Sequence, residues 1–230
     1  MKQFGSMLAA VASAALIAGV AHAGGPTVVA DDAPVAAAPE AIDWSGLRLG
    51  IAFSKPTGDN FWAERSLSAE SSADDWSGTM PSVSVGYDWQ HGNLVYGAVL
   101  SVHGGDMNAN PTTGSIFGCT GCETSVDKLA TLRGRLGWAL GKTLVFASAG
   151  AARANALGSA GDGTVTTGED KLSGWIAGLG VEHFISQKLT VSAEYLHTDL
   201  GRLELPTSCF VDCYTDIEFG MVQLGINYRW

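Results

Sequence analysis

Eight stretches of this chain read as strands, and all but one of them alternate large apolar side chains with small or polar ones at a period of two. In WSGLRLGIAF one face carries Leu47, Leu49, Ile51 and Phe53, and in PSVSVGYDWQ it carries Val83, Val85, Tyr87 and Trp89. Further rows are Leu132, Leu136, Trp138 and Leu140, then Trp175, Ala177, Leu179 and Val181, then Leu189, Val191, Ala193 and Tyr195. Val222, Leu224, Ile226, Tyr228 and Trp230 form the last row. LVYGAVLSV has lower contrast, and TLVFASAGAAR has two faces too alike to separate. Beyond residue 23 no stretch holds the about 18 uninterrupted apolar residues of a helical membrane span.

The connections alternate in length. Short turns are expected at Gln90 to Asn93, Gly141 to Lys142 and Ser186 to Lys188, and long loops at Ser54 to Thr79, Gly104 to Thr124, Leu157 to Asp170 and Gly201 to Tyr214. An all-β, eight-stranded antiparallel up-and-down transmembrane β-barrel follows, with its short turns at one end and its long loops at the other. A water-soluble barrel alternates too, but its outer face must be charged, and only 16% of these residues are. The polar face is mostly Gly, Ser, Thr and Ala, which suits the narrow interior of eight strands. The large apolar row is therefore assigned to lipid. Trp89, Trp138, Tyr228 and Trp230 fall at the short-turn end as an interface girdle, and Trp44 and Trp175 are assigned to the interface aromatics with them.

The start of the chain sets the compartment. A basic Met1-Lys2, an apolar run from Met7 to Val20 and the small-x-small Ala21-His22-Ala23 read as a secretory signal peptide over 1–23. Residues 24–42 are rich in Ala, Pro and Asp and read as a linker, leaving 43–230 for the barrel. A net charge of -10 argues against a nucleic-acid partner, since phosphate binding needs clustered Lys and Arg. The partners expected are outer-membrane lipid and lipopolysaccharide, and no cofactor motif stands out.

DWSGLRLG, GYDWQHGNLVYG, LRGRLGWALGKTLVFASAG, GWIAGLGVEHFISQKLTVSAEYLHTDLG and the terminal LGINYRW resemble the small outer-membrane barrels of the opacity-like and OmpA-like group. The resemblance runs from about Asp43 to the end. It implies a surface-exposed structural barrel of the bacterial outer membrane, inserted by the barrel assembly machinery. Trp230 stands where that family most often has the terminal Phe read by that machinery.

Seven charged residues share the polar phase of their strands: Arg48, Asp88, Arg133, Arg135, Glu182, Glu194 and Arg229. Buried charges must pair, so an ion-pair network plugging the lumen is expected. The alternative is a selectivity ring around a narrow pore, and a third reading is an adhesin. Four cysteines lie in two loops, as Cys119-Thr-Gly-Cys122 and Cys209-Phe-Val-Asp-Cys213. Two local disulfides are expected on an oxidising cell surface; a cross-loop pairing and zinc or redox chemistry are the alternatives. His183 and His197 fall at opposite ends of the wall with no nucleophile beside them, so no enzyme is expected. Loop acids such as Asp59, Asp74, Asp75 and Asp170 are read as solvated, with divalent-cation bridging to lipopolysaccharide as the functional alternative.

Overall fold

A computed structural model of the protein describes residues 42–64, 69–70, 73–110, 123–160, 165–205 and 213–230. The expected signal peptide and nearly all of the expected linker lie outside them. Eight principal strands follow in chain order: β1 (Gly46–Thr57), β2 (Met80–His91), β3 (Leu94–His103), β4 (Glu123–Leu140), β5 (Thr143–Ala160), β6 (Val165–Phe184), β7 (Leu189–Leu205) and β8 (Cys213–Arg229). Each pairs antiparallel with the next. The ring closes where β1 meets β8, from Arg48 opposite Arg229 to Thr57 opposite Gly220. Among the described residues no helix is long and apolar enough to cross a membrane.

The two-residue period becomes two walls. Leu49, Ile51, Phe53, Val83, Leu132, Leu136, Leu179 and Leu224 point outward and are exposed, while Arg48, Ser82, Asp88, Thr131, Ser148 and Asn227 point inward and are buried. An unpartnered apolar row of this extent matches a hydrocarbon solvent and would be unstable in water. Two of the short connections are two-residue hairpins, His91 opposite Leu94 and Leu140 opposite Thr143. Gly92 (φ 60°) and Gly141 (φ 62°) hold the first central position, where type II′ geometry favours glycine.

The expected long loops are shorter than their composition implied, because strands invade them. β4 to β8 run 17 to 20 residues, about twice the 9–11 that cross a bilayer. β5 and β6 stay paired up to Ala160 opposite Val165, and β7 and β8 up to Leu205 opposite Cys213. Asp106–Ala109 extends the wall against β4. The segment expected as the first loop contributes Trp62–Glu64, which pairs with β8 at Cys213 to Thr215. Among the described residues, the β6–β7 ladder is the one among β4 to β8 that stops early, at Trp175 opposite Asp199.

The interior is also less uniformly small than expected. Toward the long-loop end large apolar groups turn inward: Met80, Met107, Leu129, Ile176, Leu200 and Phe219 belong to one buried cluster. Trp62 and Trp76 from the first connection complete it. The Trp62 indole donates to Thr124 Oγ1 at 2.8 Å and that of Trp76 to the Glu218 carbonyl at 3.2 Å. Once a strand leaves the membrane its outer face meets water, so the apolar phase reverses to the inside.

Replacing a lipid-facing leucine by a cation tests the two walls. Leu136→Arg and Leu179→Arg, at side chains 56% and 69% exposed, should each cost about 2–4 kcal/mol near the bilayer midplane. Ser84→Thr on the inner wall should be far milder. Urea unfolding in lipid vesicles measures both, and equal losses would contradict the assignment of faces.

Candidate functional site

The inner wall near the short-turn end gathers charge. Asp88 on β2 and Glu182 on β6 are fully buried, and three arginines converge on them. Arg229 on β8 bridges both, at 2.8 Å to Asp88 Oδ2 and 3.1 Å to Glu182 Oε1. Arg135 on β4 lies 2.9 Å from Glu182 Oε2 and 3.6 Å from Asp88 Oδ2. Arg48 on β1 lies 3.8 Å from Glu182 and 3.9 Å from Asp88. Each acid thus meets three cations, which offsets the desolvation that an isolated buried carboxylate would suffer.

Neutral groups supply further hydrogen bonds, although among the described residues Arg48 Nε, Asp88 Oδ1 and the Nε atoms of Arg133 and Arg135 have no hydrogen-bond partner. Thr190 Oγ1 donates to Glu182 Oε1 at 2.7 Å, and Arg48 Nη1 donates to Asn227 Oδ1 at 3.3 Å. One pleat farther from the short turns, Arg133 Nη1 donates to Glu194 Oε1 at 2.6 Å and to Ser148 Oγ at 3.0 Å, and Ser148 donates to the same carboxylate at 2.6 Å. The structure therefore brings all seven sequence-assigned charges into the lumen, as a five-residue belt and a separate Arg133–Glu194 pair. A polar cavity of about 20 Å³ lies among Arg48, Arg133, Arg135, Glu194 and Gln223, roughly the room of one water molecule.

Three arginines over two acids leave one excess positive charge in the belt, and aromatic faces meet it. The Arg135 guanidinium carbon stands 4.2 Å over the Phe146 ring, and that of Arg229 5.2 Å over Trp44. Ring quadrupoles favour such cations, most of all away from water. Contrary to its assignment to the interface, Trp44 is fully buried inside the barrel and does not join the lipid-facing aromatics. Its backbone carbonyl accepts from Arg229 Nη2, its indole donates to the Gly141 carbonyl at 3.2 Å, and its ring packs 4.4 Å from Phe184. With Val95, Ala139, Leu144 and Phe146 these rings form a buried cluster across the short-turn mouth.

The other assigned aromatics lie outside. Trp89, Trp138, Trp175 and Trp230 are exposed, Trp175 toward the long-loop end, and Tyr228 is half-buried with its ring 4.5 Å from that of Trp230. Cys213 is disulfide-bonded; Cys119, Cys122 and Cys209 lie outside the described residues. His183 Nδ1 meets Thr143 Oγ1 at 2.9 Å, whereas His197 Nε2 meets Glu218 at 3.4 Å toward the other end. Asp59 faces Asp75 across a two-residue ladder, and the hydrogen bond between them holds the Asp59 carboxyl above its usual range. Among the described residues no three His, Cys, Asp or Glu side chains lie close enough to hold a metal.

Neither the aromatic cluster at the short-turn mouth nor the burial of His103 was legible in the sequence. His103 Nδ1 lies 3.3 Å from the Leu129 carbonyl and Nε2 3.4 Å from Gln223 Oε1. Strand parity across LVYGAVLSVH was the available signal: Val95, Val99, Ser101 and His103 share the inward phase. Glu182→Gln isolates the central acid of the belt. It leaves three arginines sharing Asp88, and should lower unfolding stability by roughly 3–5 kcal/mol, whereas Lys142→Gln on a short turn should change it little.

The family described as outer membrane protein beta-barrel domain matches residues 28–229. The 31 kDa outer-membrane immunogenic protein of Brucella melitensis is 30% identical over 233 residues, covering 94% of this chain and 96% of its own. The 22 kDa outer membrane protein of Rhizobium leguminosarum bv. viciae is 32% identical over 206 residues, 87% of this chain and 83% of its own. Among solved structures, outer membrane protein OprG of Pseudomonas aeruginosa matches with a TM-score of 0.58 at 8% identity, over 83% of this chain and 98% of that one. At that identity the likeness bears on the fold alone.

Proposed function

Because the chain belongs to the outer membrane protein β-barrel domain family, we propose that it serves the bacterial outer membrane as a closed structural barrel, supporting the envelope and presenting its long-loop end outside the cell. The observation that carries this reading is the layering of the interior. An aromatic cluster lies across the periplasmic mouth, the arginine–carboxylate belt lies above it, and the apolar cluster with Trp62 and Trp76 fills the outer end. Ions meet a dry apolar layer at each end, and the polar layer between them holds a cavity of only about 20 Å³. Presentation of the outer end accords with the Brucella relative, which is named an immunogenic protein.

Conductance in a planar bilayer separates this role from that of a narrow channel. The wild-type barrel should carry no steady current. Trp44→Ala with Phe184→Ala should still carry none, since the outer apolar layer remains, and Arg133→Ala with Arg135→Ala should destabilise the barrel and admit at most a leak. A steady wild-type current whose ion selectivity reverses when those two arginines become glutamates would establish a channel in its place.

A further inference from the structure

Outside the lumen, the cations of the wall are unevenly placed. Arg153 on β5 and Lys171 on β6 both point outward and are exposed, one row apart: Arg153 pairs with Ser173 and Asn155 with Lys171. On β4 a bulge between Asp127 and Ala130 turns Leu129 inward and leaves Lys128 outside with φ 49°; bulges characteristically re-aim a side chain in this way. Three adjacent strands thus present three cations at one level in a chain of net charge -10. Among the described residues neither Arg153 nor Lys171 has a carboxylate within ion-pair distance, and Lys128 has only Asp127, at 3.8 Å. On the far side of the β6–β7 gap the arrangement differs. There Arg202 is engaged by both oxygens of Asp216, at 2.8 and 3.1 Å, and Asp199 and Glu218 face each other.

On the orientation proposed above, on which this inference rests, the level of these cations is that of the outer membrane surface. Val145 lies beside Trp138 of the periplasmic girdle, and Arg153 lies eight residues farther along β5. At about 3.3 Å per residue and a tilt near 40° that rise is roughly 20 Å, and Lys171 stands one row higher, against an apolar band about 25 Å tall. Below Arg153 the outer face of β5 is Ala151, Ala149 and Ala147. Leu132 and Leu136 flank this row on β4, and Trp175 and Leu179 on β6. Ala149 lies beside Gly134, which lies beside Ala98, and the surface there is concave. The register thus sets a row of alanines between two ridges of large side chains with Arg153 at its head, and the concavity opens from Ala149 across Gly134 and Ala98 toward Trp89 and Tyr96.

We propose that Arg153, Lys171 and Lys128 bind the phosphate groups of an outer-leaflet glycolipid, one acyl chain of which lies in the alanine trough of β5. Guanidinium and ammonium groups at a headgroup surface form charge-assisted hydrogen bonds with phosphate oxygens, and the trough supplies apolar contact that a free phosphate would not use. Asp106, Asp127 and Asp170 lie toward the outer rim of the cluster; Asp127 faces Lys128, and Asp170 accepts the Lys171 backbone N–H at 2.7 Å. Arg153, closest to the bilayer, is left as the primary phosphate contact.

Native mass spectrometry on the refolded full chain, with folding checked by heat modifiability, tests this. Diphosphorylated lipid A, the same lipid A stripped of its phosphates, and dioleoylphosphatidylglycerol are titrated in detergent. The diphosphorylated form should bind about tenfold more tightly than either of the others. Arg153→Gln with Lys171→Gln should remove that advantage, while Lys142→Gln with Lys188→Gln, at the periplasmic turns, should keep it. Ala149→Phe, which fills the trough, should weaken the lipid A adduct with every cation in place. Equal binding of phosphatidylglycerol, or a full advantage in the Arg153/Lys171 variant, would overturn the site, and an unaffected Ala149→Phe would overturn the trough.

Discussion

A ring of eight strands has no room for an unpaired charge in its lumen, and the belt built on Asp88 and Glu182 is how this protein meets that constraint. Each acid lies within 4 Å of the same three arginines. The cations come from β1, β4 and β8 and the anions from β2 and β6, so the belt ties together opposite sides of the wall as well as neighbours. The Arg133–Glu194 pair repeats the device between β4 and β7 with Ser148 as a third member. Because these groups are dry, the contribution of any one of them depends on the others being present.

The layers on either side follow from this choice. A belt with one excess positive charge is favoured by electron-rich faces and by exclusion of water, and Phe146, Phe184 and Trp44 provide both at the short-turn mouth. At the other end no membrane remains to receive apolar side chains, so the protein supplies its own apolar interior. The barrel is thus two structures in one wall. One half has lipid outside and charge inside; the other has water outside and a core of Leu, Met and Trp inside.

That division explains what the sequence disclosed. Alternation assigned the membrane half because one rule, large outward and small or polar inward, holds along Leu47 to Phe53, Val83 to Trp89 and Val222 to Trp230. The same alternation carries Arg48, Arg133 and Glu182 inward by parity. The rule failed where the solvent changes. Leu203 with Leu205, and Ile217 with Phe219, still follow a strand period, but with the apolar phase turned inside and a bulge between Asp199 and Arg202 interrupting it, so residues 201–205 and 213–214 resembled a loop. Trp44 was misplaced because an aromatic near a membrane surface is read as an anchor, and nothing local marks a ring that folds into the mouth. β5 was ambiguous for a further reason: Ala147, Ala149 and Ala151 outside are no larger than Ser148 and Ala152 inside.

The seam that closes the ring carries an electrostatic condition on assembly. Arg48 and Arg229 are register partners across β1 and β8, and both side chains enter the lumen. Like charges placed directly opposite across a ladder repel, so joining the first strand to the last is unfavourable by itself in a dry interior. It becomes favourable when Asp88 and Glu182 already stand between them, which requires β2 and β6 to be seated beforehand. The final zippering of the barrel is thereby made conditional on the rest of the wall being in register. A misaligned intermediate would bring two arginines together with no acid in reach, and its edges would stay apart.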